Sequence, residues 1–298
     1  MIRSLLLSAA LLASVSHADA QARRDTLTGD QVLERSRSAY AGLTSYAGEA
    51  AVLSEIGIGV TVMTHATTAE MRFVRPGRFR LSGRAIEGTA YLVASDGART
   101  RTVLVPTDPK RHQAMLGMSG LLGLQPAGGD TLASDTLSTE VGLAMVAGIG
   151  NRAPYYLSAL LGLLEGSPVV HRTPAVLAGR ETVAGVETYR VVVRGRDNTV
   201  TYWVDTASHL LRQLQDEQTG PQLAATFGQA GEKMAEQDTS TNALVAATSA
   251  LVTGALRAMP RPGGSSYLVR FSNLRVNALL DPALFALPPR RAGSRSPE

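Results

Sequence analysis

The sequence predicts an α+β fold built around one large antiparallel β-sheet. Short runs of β-forming residues recur along the chain and are separated by Gly, Pro and Asp, which is typical of antiparallel strands joined by turns. No run is followed by a helix at the spacing of a β-α-β unit, so parallel pairing is not expected. Hydrophobic residues make up 44% of the 298 residues, which is enough to fill the core of a large domain.

The start of the chain predicts a secretory signal peptide at residues 1–20. Arg3 precedes an apolar run at 5–15, and the small residues Ala18 and Ala20 suit a cleavage site after Ala20. We therefore expect a mature protein in the periplasm. The chain contains no cysteine, so it has no disulfide and no cysteine to carry a lipid anchor.

One helix is predicted at the start of the mature domain, at residues 30–41. Thr28 and Gln31 have the spacing of a capping box, in which each side chain satisfies a free backbone amide at the helix start. Apolar residues from Val32 to Tyr40 follow at helical spacing, so one face of this helix is expected to pack on the sheet.

The strands are expected in two series. Asp96-Gly97, Gly185 and Asp197-Asn198 mark hairpin turns, because tight turns need residues that tolerate positive φ. The predicted strands are 46–55, 58–66, 68–74, 78–84, 90–95 and 99–105, followed by 169–177, 180–183, 186–195, 199–205, 209–218 and 265–276.

Two segments, 108–166 and 238–258, interrupt the β pattern and are predicted to be helical insertions. Their apolar pieces are shorter than the ~20 residues of a membrane span, which favours helices that pack on the open face of the sheet. We expect residues 21–289 to form a single domain that contains both insertions. The end of the chain, 290–298, is expected to be disordered because it combines arginines with Pro, Gly and Ser.

The sequence motifs do not indicate catalysis. The segment 148–153, GIGNRA, matches a dinucleotide-binding pattern, but no β-branched strand precedes it and no further β-α-β unit follows. His65, His112, His171 and His209 have no partner at helical ligand spacing. We therefore predict no catalytic residue, no metal site and no cofactor, although partners distant in sequence can still meet in space. Nucleic acid is not an expected partner, since the arginines form no basic stripe.

Several short motifs resemble those of the LolA/LolB-like superfamily of periplasmic lipoprotein carriers, which includes exported proteins of unknown function. None is specific alone, but together they span most of the mature chain in order. They are AYAGLTSY at 39–46, RPGRFR at 75–80, SDG at 95–97, LAGRETVAGVETYRV at 177–191, YWVD at 202–205, LLRQL at 210–214, and the segment 277–289.

The resemblance implies an antiparallel β half-barrel whose concave face is apolar and covered by helices. It also implies a soluble carrier for a lipid or an acylated lipoprotein, which would shield acyl chains from water, and we expect a monomer. The sheet side is predicted to contact the ligand through four residues and the lid through seven. They are Met63, Phe73, Trp203 and Phe271 in the sheet, and Met115, Met118, Leu121, Leu122, Tyr155, Tyr156 and Leu160 in the lid.

Two other functions remain open. The same fold could serve as an envelope sensor or scaffold that binds a periplasmic protein, and a large exposed apolar patch would favour this reading. An enzyme is the third hypothesis. A histidine beside a serine or carboxylate in a cleft would favour it.

Overall fold

The structure is a computed structural model. It describes residues 27–58, 61–85, 88–110, 112–113, 124–148, 153–164, 174–195, 198–218 and 264–288. The predictions for residues 1–20, 238–258 and 290–298 lie outside the described residues.

Most of the described residues belong to strands. The helices are α1 (Gly29–Ala41), α2 (Thr139–Gly148) and α3 (Ala153–Leu160), and a 3-10 helix spans Pro282–Phe285. The strands are β1 (Ser45–Ile58), β2 (Thr61–Val74), β3 (Arg78–Arg84), β4 (Ala90–Asp96), β5 (Thr100–Val105), β6 (Gln125–Pro126), β7 (Leu132–Ser134), β8 (Ala175–Val183), β9 (Val186–Arg194), β10 (Thr199–Asp205), β11 (Leu211–Gln218) and β12 (Ser265–Val276).

All twelve strands form one open antiparallel sheet in the order β6-β7-β5-β4-β3-β2-β1-β12-β11-β10-β9-β8. The first and last strands, β1 and β12, pair at its centre, and each is longer than ten residues. The predicted antiparallel fold class is therefore confirmed. Among the described strands, the order ends at β6 on one side and at β8 on the other, so this sheet is open.

Successive residues of a strand point to opposite faces of the sheet, and residues paired across strands point to the same face. The two faces of this sheet differ in burial. In β1, Ala50 and Val52 are buried while Ala51 and Leu53 are exposed. We call the buried side the inner face and the other side the outer face. The hydrophobic core joins the inner face to residues of α1, α2 and α3, so all three helices pack on that side.

Polar contacts fix α1 to the sheet. The predicted capping box is present, with Thr28 and Gln31 each accepting from the other's backbone amide. The Asp30 carboxylate accepts from the backbone N–H of Ala175 in β8 at 3.0 Å. At the other end, the Arg75 guanidinium donates to the Leu43 carbonyl at 2.8 Å. The helix is therefore held to β8 at its start and to the β2–β3 turn at its end.

Two pairs of predicted strands each form a single strand in the structure. Segments 58–66 and 68–74 form the single strand β2, because all fourteen of its residues pair with β1. Segments 175–177 and 180–183 belong to one strand, β8, whose pairing shifts between Leu177 and Gly179, and residues 169–173 of the predicted strand 169–177 lie outside the described residues. Gly179 has a φ of +129°, which explains why its neighbourhood resembled a break.

In its described residues, the insertion predicted at 108–166 is only partly helical. It contains α2 and α3 as expected, but also the short strands β6 and β7. These strands extend the sheet beyond β5 through pairing of Thr102 with Ser134 and Leu104 with Leu132. Cross-strand pairing thus overrides the weak local preference of this segment.

Candidate functional site

The inner face is apolar across the long central strands. In register, Val52 of β1 faces Val269 of β12, which faces Leu214 of β11. All three side chains are at most 2% exposed. On the other side of β1, Tyr46 faces Phe73 of β2, which faces Phe79 of β3. The inner face therefore offers a continuous apolar surface several strands wide.

Helix α3 lies on this surface, and most of its described side chains are buried. The four consecutive residues Tyr156, Leu157, Ser158 and Ala159 are all buried, which is more than one turn of helix. This turn of the helix therefore has no solvent-exposed side. The helix contacts α1, α2 and β2, so it fills the space between the other helices and the sheet.

Four predicted ligand-contact residues meet in one hydrophobic core. Phe73 and Phe271 project from the inner face, Tyr156 lies in α3, and the partly buried Leu160 packs against the same cluster. Met63 is in register with these inner-face residues but lies near the end of β2, where it is 40% exposed. We call this position the rim of the inner face.

The other predicted contacts cannot be placed in this group. The backbone of Tyr155 belongs to α3. Met115, Met118, Leu121 and Leu122 lie outside the described residues.

Trp203 lies on the outer face, so it does not join the predicted ligand contacts. Its neighbour Tyr202 takes the inner position opposite Leu214, whereas Trp203 pairs with Gln213 and Arg190. The indole N–H donates to Glu181 Oε2 at 2.7 Å. Trp203 is thus a packing residue that links β10 to β8.

The YWVD motif ends in a turn stabilised by Asp205. Its carboxylate accepts from the backbone amides of Ala207 at 2.9 Å and Ser208 at 3.0 Å, and from the Arg212 guanidinium at 2.7 Å. Burial alone would raise the pKa of the Asp205 carboxyl, but the bonds from Ser208, Arg212 and Ala207 together lower this pKa to about 2. The Asp205 carboxylate therefore stabilises the turn after β10, which gives the YWVD motif a structural role.

A band of polar side chains crosses the inner face, and the sequence motifs do not predict it. His65, Ser54, Tyr267 and Asp216 stand side by side on β2, β1, β12 and β11, and we call them the polar row. Ser54 and Asp216 are each only 1% exposed. The alternation of Leu214 with Asp216 in β11 was the available signal, because it assigns both residues to one face.

Asp216 connects the polar row to α3. The Tyr156 hydroxyl donates to Asp216 Oδ2, and the Asn198 side-chain amide donates to Asp216 Oδ1 at 2.9 Å. Burial and then the charge of Asp216 raise the pKa of the nearby Tyr202 hydroxyl well above its ordinary value. The buried carboxylate therefore acts as an acceptor that holds the helix against the sheet.

The polar row brings a histidine beside a serine but does not form a catalytic triad. Ser54 Oγ has no hydrogen-bond partner among the described residues, so His65 does not accept its proton. Asp216 is separated from Ser54 by the strand that carries Tyr267, a distance of about 10 Å at ordinary strand spacing. A nucleophile needs a base within hydrogen-bond reach and a group that orients the base, and this arrangement provides neither.

The described ranges contain no group of three His, Asp or Glu side chains placed to hold a metal ion. They also contain no helix that is long and apolar enough to cross a membrane.

Comparison with known proteins gave matches in solved structures alone. No family model matches the chain, and no curated protein matches it. The Mycobacterium tuberculosis lipoprotein LppX is 12% identical with a TM-score of 0.38, covering 85% of this chain and 97% of its own. A LolA superfamily protein from Nitrosomonas europaea is 10% identical with a TM-score of 0.31, covering 88% and 99%.

A third match is the complex of MucA and MucB from Pseudomonas aeruginosa, at 16% identity and a TM-score of 0.31 over 63% of this chain and 50% of that one. TM-scores this low carry no argument about function. The predicted fold class is seen in the described residues themselves. The sheet is open and antiparallel, and the helices cover one apolar face.

Proposed function

We propose that the protein is a non-catalytic periplasmic carrier or binding protein for a hydrophobic ligand, a lipid or the acyl group of a lipoprotein. The ligand would lie on the inner face of the sheet, where it replaces α3. The position of α3 supports this proposal most directly, because its consecutive residues 156–159 are buried over an apolar surface.

The length of α3 favours its displacement. It has eight residues, whereas isolated helices shorter than about 12 residues are marginal in water. Its structure therefore depends on packing against the inner face and its neighbours. A ligand that competes for this apolar surface removes the contacts that keep the helix in place.

The energies of the two occupants are comparable. Each buried methylene contributes about 0.8 kcal/mol, so a chain of sixteen carbons gains roughly 12 kcal/mol before the costs of ordering are subtracted. Three large apolar side chains leaving the same surface lose roughly 5 to 9 kcal/mol in total. Tyr156, Leu157 and Leu160 are the described α3 residues that would make this exchange.

The first experiment is native mass spectrometry of the mature protein purified from the periplasm without detergent, before and after organic extraction. A co-purifying lipid near one-to-one stoichiometry supports the proposal. An empty protein that also fails to take up a fluorescent fatty acid would overturn it. That outcome would favour the alternative of an envelope sensor or scaffold that binds a protein partner.

The non-catalytic part of the proposal has its own test. Ser54 and His65 are the described pair that most resembles a catalytic dyad, so His65→Ala is the informative variant. Neither the wild type nor this variant should hydrolyse p-nitrophenyl esters above the buffer rate. Turnover by the wild type that is lost in the variant would contradict the proposal.

A further inference from the structure

The inner face has a defined length along β1, because the side chains change in character at both ends of the strand. Near the rim, Ser54 belongs to the polar row. From there, the inner-face positions of β1 are Val52, Ala50, Gly48 and Tyr46, in that order. We call the part of the inner face between Ser54 and Gly48 the apolar strip. Its positions on β1 carry no charge, so an acyl chain can lie along them.

Tyr46 closes the inner end of the apolar strip. A Cβ on Gly48 would lie 2.6 Å from the Tyr46 hydroxyl, so the Tyr46 side chain extends over Gly48 towards the rim. The ring of Tyr40 in α1 packs against it, with the two ring centroids 6.2 Å apart. Because hydrogen bonds to Asp30 and from Arg75 hold α1 at its two ends, this wall stays in place when α3 leaves.

Small residues lower the middle of the apolar strip. Ala50 of β1 pairs with Ala69 of β2, which pairs with Gly83 of β3. Larger side chains stand on either side, since Phe271 of β12 pairs with Ala50 and the Tyr91 hydroxyl would lie 2.5 Å from a Cβ on Gly83. Helix α3 contacts β2, so its departure uncovers this low part of the inner face.

Ser54 supplies a fixed polar end. Its hydroxyl is buried, with the residue 1% exposed, and has no hydrogen-bond partner within the described parts of the chain. Native proteins satisfy nearly all such groups with a protein partner, a water or a ligand. A serine hydroxyl can donate to a carbonyl oxygen, and every acyl chain begins at a carbonyl. Ser54 can therefore hold that carbonyl while the chain lies on the apolar strip.

We infer that the apolar strip is a ruler that selects acyl chains of about 16 carbons, held by the carbonyl at Ser54 and stopped at Tyr46. This inference rests on the proposed function and adds the chemical class of the ligand. Gly48 is six residues from Ser54, which corresponds to about 20 Å at the ordinary rise of a strand. An extended carbon chain advances about 1.3 Å per carbon, so about 15 carbons beyond the carbonyl fill the strip.

Chains that are longer than the strip bind less well, because their excess carbons cannot be buried. In a lipid dispersion, each of these carbons lies among other acyl chains, whereas in the complex it is exposed to water. Each exposed methylene lowers the relative affinity about fourfold, and two of them lower it about fifteenfold. Chains that are shorter than the strip leave part of its apolar surface uncovered. The inference therefore predicts a maximum in binding, with a steep fall on the long side.

The test is a competition among chain lengths. The mature protein is equilibrated with an equimolar dispersion of saturated 1-monoacylglycerols, with even-numbered chains from about 10 to 22 carbons. Native mass spectrometry then identifies the bound species by mass. We expect the wild type to load mainly chains of about 16 carbons, with occupancy falling about fifteenfold for the next two carbons.

Two substitutions in the middle of the strip should shorten the ruler. Ala50→Leu and Ala69→Leu each place a larger side chain four rows from the polar row, about 13 Å along the strands. Each should move the preferred length to about 10 carbons. The matched control is Ala51→Leu, because Ala51 is an exposed alanine on the outer face, and it should leave the distribution unchanged. The wild-type distribution decides the question if a variant does not fold.

Ser54→Ala tests the fixed end. Without the hydroxyl, the carbonyl is no longer held at one row, so the distribution should broaden and extend to longer chains. Ser272→Ala is its control, because Ser272 is an exposed serine on the outer face of β12. A distribution that is the same in Ser54→Ala and the wild type would overturn the assignment of the carbonyl to Ser54.

Two other outcomes concern the whole inference. If the wild type loads all chain lengths in proportion to the dispersion, the strip is not a ruler, while the proposed function stands. If Ala50→Leu and Ala69→Leu fold but keep the wild-type maximum, the ligand does not lie along β1 and β2, and the inference fails as well. If no monoacylglycerol is loaded at all, the proposed function itself fails, and this result is distinct from the others.

Discussion

Removing the hydroxyl of Tyr156 tests whether α3 controls access to the inner face. In Tyr156→Phe the ring stays in place, but Asp216 loses the hydroxyl that donates to its Oδ2. The hydrogen bond from the Asn198 side-chain amide to Asp216 Oδ1 remains. A hydrogen bond to a charged group contributes about 1.5–3 kcal/mol, so we expect the free energy of unfolding to fall by about 2 kcal/mol. If 1.4 kcal/mol of this loss falls on the docking of α3, the population with the helix detached rises about tenfold.

The assay measures stability by urea unfolding and ligand uptake by stopped-flow fluorescence with Nile red. Uptake by the Tyr156→Phe variant should be up to about tenfold faster than by the wild type, because entry requires the detached state. The matched control is Tyr40→Phe. Tyr40 is equally a buried tyrosine, but it lies in α1, where its hydroxyl accepts from the Leu211 N–H at 3.2 Å.

Tyr40→Phe should lower stability without changing the rate of uptake. The reasoning would be refuted if Tyr156→Phe lost stability as expected but took up the dye at the wild-type rate. It would equally be refuted if both variants accelerated uptake to the same extent, because general loosening of the core would then explain the effect.

Three further variants probe the rim, the YWVD turn and the packing of α1. Met63→Asp should weaken Nile red binding about tenfold by placing a charge at the rim. Val62→Asp, at the adjacent outer-face position that is 65% exposed, should not weaken it. Equal losses of affinity in the two variants would contradict the assignment of the faces. Asp205→Asn should cost about 1–2 kcal/mol of unfolding free energy at neutral pH, after allowance for solvent screening. Because folding lowers the pKa of the Asp205 carboxyl from 3.8 to about 2, this stabilisation is present above pH 4 and is lost as the pH falls towards 2. If the difference in urea stability between the wild type and Asp205→Asn does not shrink over that range, the carboxylate is not the source of the stabilisation. Gly29→Ala should lower the melting temperature by several degrees, since its Cβ would lie 2.4 Å from a β8 carbonyl oxygen, and an unchanged melting temperature would show that α1 shifts freely.

The sequence was sufficient to predict the sheet because its strands have strong alternation and clear turn residues. The helix predicted at 30–41 begins one residue earlier in the structure, at Gly29, and ends at Ala41. The capping box that located it is purely local, so sequence spacing alone could reveal it. The continuity of β2 was not predictable in the same way, because it depends on pairing with β1 along its whole length.

The candidate site was harder to predict because it depends on register. Tyr202, Trp203 and Val204 form an apolar run, and hydrophobicity alone does not assign its residues to faces. Register with β11 gives Tyr202 the inner position and Trp203 the outer one. The polar row depends on the pairing of four strands, and its paired residues Ser54 and Tyr267 are 213 positions apart in the chain. The register of such distant strands cannot be predicted from a single sequence.

The contrast between α1 and α3 explains why α3, and not α1, is the helix that a ligand would displace. Directional polar contacts anchor α1 at both ends, through Asp30 at its start and Arg75 at its end. An acyl chain has no groups that can replace such bonds, so displacing α1 would leave them unmade. The packing of α3 is mainly apolar and therefore non-directional, and an acyl chain can substitute for it. A polar contact of α3 with the sheet, from the Tyr156 hydroxyl to Asp216, lies in the polar row, so a hydrogen-bond donor on the ligand can take over the acceptor that the departing helix releases.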